Sequence, residues 1–308
     1  MLRLLPALLP ALLLSLLGSL PCTSSAASYS EAAAIRYVDL AGQAYCTPSQ
    51  ISNATNQHAA LISGFTPASV WHNDNLQFYA GYDALTDSVF VAVRGSLDLN
   101  NWIDNIDAVK TAPYEGAGDV EVHAGFWSEY EQLRDPIVAA VTEAADKYGT
   151  DRLSVAGHSS GGANSVFLAY DVARGALLPG FELLPLYTFG CPRVGNKAFY
   201  DAFEALDIEH TRVVHWRDIV PHLPNEWMGF RHTAREVWYS NEDSTEFTVC
   251  SDEDGEDPSC SNSLTFAMSG GDHCYYVGKP ICACDAEEAE RLREELDRED
   301  GEGRIAVQ

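Results

Sequence analysis

Leu153-Ser154-Val155-Ala156-Gly157-His158-Ser159-Ser160-Gly161-Gly162-Ala163 is a β-type run that breaks at a glycine-flanked serine and continues as an apolar-periodic helix to Ala173. Glycine two residues before and two after Ser159 suits a sharp strand-to-helix turn. Such a turn crowds its neighbours and holds the serine in strained backbone. The reward is a hydroxyl that projects above a sheet, with backbone N–H groups at a helix N-terminus facing any developing oxyanion. β-Type runs recur at Ser88–Arg94, Leu186–Phe189, Thr211–Trp216 and Glu236–Tyr239. Helical periodicity separates them at 125–148, 163–173 and 197–206, with Pro136 a potential bend in the first, and a further helix is expected over 29–42. Strands alternating with helices predict an α/β fold with a central, mostly parallel sheet.

The chain has 308 residues, 46% of them hydrophobic, enough for one large domain. No internal repeat or linker divides it, so one domain is expected over 28–285. Met1-Leu2-Arg3, the apolar run Leu4 to Leu20 and the small residues Ser24 to Ala27 read as a secretory signal peptide over 1–27. Pro6 and Pro10 argue against a membrane anchor, and no other stretch approaches the ~20 apolar residues of a spanning helix. Export permits disulfides. Without Cys22 seven cysteines remain; Cys191, at a strand end, reads as a buried thiol, leaving six for three bridges. Cys250–Cys260 fits a local loop, and Cys46 fits a tie to Cys282 or Cys284. A zinc site of His273, Cys274, Cys282 and Cys284 competes, against the C-x-C spacing and the oxidising compartment. Asn53-Ala54-Thr55 is the only glycosylation sequon. A net charge of −26 excludes a nucleic-acid partner and disfavours anionic membrane surfaces. The Glu/Arg-rich end, 286–308, reads as a solvated helix or tail.

A serine hydroxyl needs a base, and the base needs an orienting acid. In elbow hydrolases the chain order is Ser, acid, His. Val213 to Pro221 supplies an apolar strand, then Asp218 in a proline-bounded loop; the alternative is that Asp218 only caps a turn. Beyond it lie His222, His232 and His273. His222 shares the acid's own loop, and His232, just before a strand, suits a backbone bond. His273, in Ser269-Gly270-Gly271-Asp272-His273, can be presented over the sheet. The oxyanion donors are expected from Ser160, directly after the nucleophile, and from Ser96 after the strand Val89 to Val93. Arg94 reads as an ion-pair partner. Leu99, Trp102, Ile103 and Ile106 follow helical spacing beside that loop and read as the apolar face of a lid, against the plainer alternative of a core-facing surface helix.

Arg94-Gly95-Ser96, Asn101-Trp102-x-x-Asn105, Val122-His123-Ala124-Gly125-Phe126, GHSSGG, Tyr187 to Asn196, Asp218-Ile219-Val220-Pro221 and Asp272-His273 with Tyr276 occur in one order. In that order and spacing the chain resembles the class 3 (fungal-type) secreted triacylglycerol lipases, over about residues 30–285. The resemblance implies an α/β-hydrolase fold with a short helical lid, Ser159, Asp218 and His273 as triad, and Ser96 and Ser160 at the oxyanion hole. It also implies structural roles for His123 and His158. The expected activity is hydrolysis of triacylglycerols through an acyl-enzyme, by a secreted monomer acting at an oil–water interface with no metal, cofactor or stable membrane anchor. Phospholipase, galactolipase and feruloyl-type esterase share these catalytic residues, and an inactive lipid-binding relative is the alternative outside catalysis. Three positions depart from the family. Ser160 replaces the usual leucine, Cys191 replaces the usual serine, and Asn105 stands where an acid is common, leaving the lid's polar anchoring open.

Overall fold

Eight strands lie side by side in chain order in a computed structural model, which describes residues 29–301 except 234, 252 and 266–268. They are β1 (Phe65–His72), β2 (Gln77–Asp83), β3 (Ser88–Val93), β4 (Arg152–His158), β5 (Glu182–Phe189), β6 (His210–His215), β7 (Arg235–Tyr239) and β8 (Phe247–Val249). The four steps from β3 to β7 are parallel. The outer pairs β1–β2, β2–β3 and β7–β8 are antiparallel. The principal helices are α1 (Glu31–Gly42), α2 (Leu99–Asn105), α3 (Ala124–Tyr148), α4 (Ser160–Ala173), α5 (Lys197–Glu204) and α6 (Ala286–Gly301).

Two apolar clusters cover the two faces of the sheet, as the period-2 alternation of a strand demands. Val89, Val91 and Val93 of β3 join Leu153 and Val155 of β4 on one face, under Phe126, Tyr130, Leu133, Ile137 and Val141 of α3 and the apolar side of α4. Phe90, Ala92 and Ala156 point the other way, toward Tyr37, Val38 and Ala41 of α1. Central strands buried on both faces read as continuous Val/Ala/Leu runs, which made β3 to β7 visible in the sequence. This is the α/β-hydrolase layering that the sequence predicts, with helices on both sides of a mostly parallel sheet.

β1, β2 and β8 were not anticipated. β1 carries Pro67 at an irregular register and is only partly buried, and β8 is three exposed residues. Edge strands of that kind carry little hydrophobic signal. α3 runs unbroken through Pro136. The bridges are Cys46–Cys284, Cys250–Cys260 and Cys274–Cys282, with Cys191 buried and free. Every sulfur of the competing zinc reading is therefore held in a disulfide. Asn53 is exposed at the end of a short helix, Pro48–Ser52. The expected signal peptide, 1–27, lies outside the described residues. Two expectations are corrected. Among the described residues Arg94 makes no ion pair; its Nη2 donates to the Asn75 carbonyl at 2.9 Å. The C-terminal stretch is not simply solvated, because α6 packs onto the body of the protein and buries Leu296.

Candidate active site

The turn between β4 and α4 places Ser159 at φ 59°, ψ −135°, outside the comfortable backbone regions of a non-glycine residue. Its N–H donates to the Phe189 carbonyl of β5 at 3.0 Å, which fixes the turn against the sheet. A Cβ at Gly161 would come within 2.2 Å of the Val93 carbonyl, so only glycine lets α4 leave at this angle. Ser160 is the first residue of α4, where no helical carbonyl is available to its N–H.

Three chain segments converge on the elbow. His273 Nδ1 lies 2.9 Å from Asp218 Oδ2, both side chains essentially inaccessible. The other carboxylate oxygen accepts the Val220 N–H at 2.8 Å, and the Tyr276 hydroxyl donates to Oδ2. Burial, and then the Asp218 charge, push the Tyr276 hydroxyl far above the phenol range, so it stays a donor. With Nδ1–H committed to the carboxylate, His273 Nε2 is the ring's accepting atom. Among the described residues, His273 Nε2 and Ser159 Oγ are both buried without a hydrogen-bond partner. The loops of Asp218 and His273 are tied together by the Asp218–Ser269 bridge and by Ser269 N–H to the Arg217 carbonyl, 3.1 Å. Gly190, at φ 58°, makes room for His273: a Cβ there would sit 2.7 Å from the imidazole.

The other histidines are fixed elsewhere. His232 Nε2 bonds the Pro221 carbonyl at 2.6 Å, as its place before β7 suggested. Burial and the Arg212 charge hold it well below the usual imidazole range. The imidazole of partly buried His222 is likewise shifted below its usual range, by desolvation and then by the Arg193 charge. His123 caps α3 by accepting the Phe126 N–H, and its Nε2 bonds the Asp107 carbonyl at 2.7 Å. His158 joins three parts of the site: Nδ1 accepts from the Tyr45 hydroxyl at 2.6 Å, while Nε2–H donates to the His273 carbonyl at 2.8 Å. Tyr45 Oη also accepts the Gly95 N–H at 3.2 Å. One chain of hydrogen bonds thus runs from the Ser96 loop to the backbone of the base. Tyr45 escaped the sequence reading because nothing local links it to His158, 113 positions away.

Ser96 and Ser160 line one cavity of about 510 Å³, walled by Trp102, Phe126 and Glu129. Below Ser160, Asn164 Nδ2 bonds Glu129 at 2.9 Å and the Ser160 carbonyl at 3.1 Å. Burial raises the Glu129 pKa. This polar floor accompanies the unusual Ser160, and its signal was Asn164, one helical turn after Ser160 in a largely apolar helix. α2 lies across the acid's loop. Ile103 is buried against Ile219, Val220 and Leu223, with Leu99, Trp102 and Ile106 packed on the same cluster, and Trp102 stacks on Phe126 at 6.0 Å. Asp98 caps its start, and Asn105 bonds Asn101 within the helix. Ile106 is the C-cap, one residue past the helix proper.

A buried ion pair supports the acid's loop from below. Arg193 grips Glu256 through two bonds of 2.8 Å and donates to the His222 and Pro224 carbonyls. The Cys250–Cys260 bridge closes the loop that carries Glu256.

Residues 90–228 match the family model described as lipase (class 3). The chain is 35% identical over 191 residues to a lipase of Rhizomucor miehei, covering 62% of this chain and 52% of that protein. It is 37% identical over 162 residues to secreted mono- and diacylglycerol lipase 1 of Fusarium solani, covering 52% of this chain and 46% of that one. The chain thus spans about half the length of the curated relatives it matches. Among solved structures, lipase II of Rhizopus niveus superposes with a TM-score of 0.75 at 26% identity, over 83% of this chain and 97% of that one. A triacylglycerol lipase whose catalytic centre is a serine-protease triad superposes at 0.74 and 29% identity, over 84% and 98%.

Proposed function

We propose that the chain is a class 3 lipase, the family whose model residues 90–228 match, and that it is a secreted serine carboxylester hydrolase acting as a monomer on triacylglycerols at an oil–water interface. The observation that carries this reading is the pair Ser159 Oγ and His273 Nε2: two buried polar atoms without partners, beside an imidazole whose other nitrogen is held by Asp218. Buried polar atoms are ordinarily satisfied, and exceptions mark places where chemistry supplies the partner.

In the proposed reaction His273 Nε2 takes the Ser159 proton as Oγ attacks the ester carbonyl. The tetrahedral oxyanion is met by the Ser160 N–H at the start of α4 and by the Ser96 N–H, each such donor contributing about 3 kcal/mol. The proton then passes to the leaving alcohol and an acyl-Ser159 remains. Water, deprotonated by the same imidazole, attacks the acyl carbon; the C–Oγ bond then breaks, His273 returns the proton to Ser159 Oγ, and the carboxylic acid is freed. Asp218 keeps the tautomer and stabilises the imidazolium throughout. No step calls for a metal or cofactor. α2 serves as the lid, its apolar face turning from Ile219 and Val220 toward lipid when the site opens. The three disulfides and the secreted lipases among the relatives support an extracellular setting.

The test compares hydrolysis of an emulsified long-chain triglyceride, a soluble short-chain ester and methyl ferulate by the parent and by Ser159→Ala. The expected result is preference for the emulsion and loss of all turnover in the variant. Turnover of ferulate alone would reject the lipase assignment, and full activity of Ser159→Ala would reject the mechanism.

A further inference from the structure

α6 has the sequence AEEAERLREELDREDG, and its only large apolar residues are Leu292 and Leu296, four apart and so on one face. Both turn inward. Leu296 is 3% exposed, and the two leucines wall a second cavity, of about 230 Å³, whose opposite side is His273, Ser96 and Leu97. A helix so charged gains little from burial elsewhere, and the pair of leucines is placed against the flank of the proposed base.

The attachments of α6 are of two kinds. Its N-terminus is fixed to the body through Cys284, bridged to Cys46, with Glu288 accepting the Cys284 N–H at 3.1 Å. Further along, Arg293 pairs with Glu242 at 2.8 Å and lies 5.2 Å over the Tyr275 ring. Glu242 is 64% exposed in that pair, and exposed pairs hold weakly. Among the described residues the far half of α6 is docked by its two leucines and by Arg293, while its root is covalently secured.

We propose that α6 is a selectivity element of the site: Leu292 and Leu296 occupy the flank of His273 and limit the length of the ester chain that can lie there. The proposal rests on the catalytic reading of Ser159 and His273 given above. With α6 docked, Leu292 and Leu296 bound this space of about 230 Å³, so a short acyl group lies against His273 while a long chain runs into the two leucines. Short esters bind with α6 docked. Long ones bind only when the helix swings out on its Cys284 root, and the free energy of undocking is subtracted from their apparent affinity.

The experiment measures kcat and KM for p-nitrophenyl butyrate and p-nitrophenyl palmitate in the full chain, in a chain ending at Asp285, and in Leu292→Ser/Leu296→Ser, each also in a Ser159→Ala background. In both α6 variants the palmitate-to-butyrate ratio of kcat/KM should rise about tenfold or more, carried by a lower KM for palmitate. An unchanged ratio in a variant that retains butyrate turnover would overturn the proposal. So would a parallel fall of both substrates in a variant with native circular dichroism, which marks α6 as a buttress. If the shortened chain does not fold, the double serine variant decides between the same outcomes. Activity that survives Ser159→Ala would instead reject the catalytic reading, independently of the ratio.

Discussion

At the residue scale the site depends on a few atoms whose partners are already fixed. Tyr276 gives its hydroxyl to the carboxylate oxygen that also holds His273. Hydrogen bonds to charged groups contribute about 1.5–3 kcal/mol, so Tyr276→Phe should lower kcat roughly 10- to 100-fold with KM little changed. A kcat equal to the parent's would show that Asp218 needs no such donor. The choice of base is equally exposed to test. His273→Ala should lose at least about 1,000-fold in kcat, while His232→Ala, remote from Ser159 and bonded to the Pro221 carbonyl, should keep kcat on the parent's order and lose stability instead. Steady-state kinetics with thermal melts on the two variants distinguishes them, and the reverse pattern would move the base to His232.

At the scale of elements, the acid's position is a property of the loops beneath it. The Arg193–Glu256 pair is 97% shielded on both sides and reaches the carbonyls at 222 and 224. Removing one charge of a buried pair costs about 3–5 kcal/mol, so Glu256→Gln should be strongly destabilised in a denaturant titration. Although burial alone would raise the Glu256 carboxyl, bonds from Arg193 and the nearby positive charges outweigh it and hold its pKa far below the ordinary value. Its contribution is therefore complete above the unfolded pKa near 4.3 and is lost as pH falls toward the folded value. The parent should lose stability between about pH 5 and 3 more steeply than Glu256→Gln; parallel curves would contradict the assignment. Elements differed in how openly the sequence declared them. β4, the elbow and α4 are adjacent in the chain, so their geometry is written in one short stretch, glycines included. β3 to β7 announced themselves through burial on both faces. β1 and β2 did not, because Pro67 and Gly81 interrupt their pattern; β1 is ordered by pairing with β2, and β2 by pairing with β3. The contacts of Tyr45, Glu129 and Leu296 were invisible for a simpler reason: their partners are remote in sequence.

At the scale of the whole molecule, one covalent tie and one net charge dominate. Cys46–Cys284 joins residues 238 positions apart, directly after Tyr45 and directly before α6. Replacing both cysteines by alanine should reduce stability by about 2–5 kcal/mol and weaken the docking of α6 with it. A charge of −26 on 308 residues opposes the folded state by self-repulsion. Added sodium chloride shortens the range of that repulsion to about 10 Å at 0.1 M, so the melting temperature should rise from low salt to 0.5 M; a fall would mean that surface ion pairs outweigh repulsion. On the proposed mechanism, fold, charge and disulfides together make a scaffold for one reacting atom, Ser159 Oγ. The most direct measurement is covalent: treat the protein with diethyl p-nitrophenyl phosphate and locate the adduct by peptide mass spectrometry. A single diethylphosphoryl group on Ser159, appearing in step with loss of esterase activity, is the expected result. An adduct on Ser160 or elsewhere, or full inhibition with Ser159 unmodified, would contradict it.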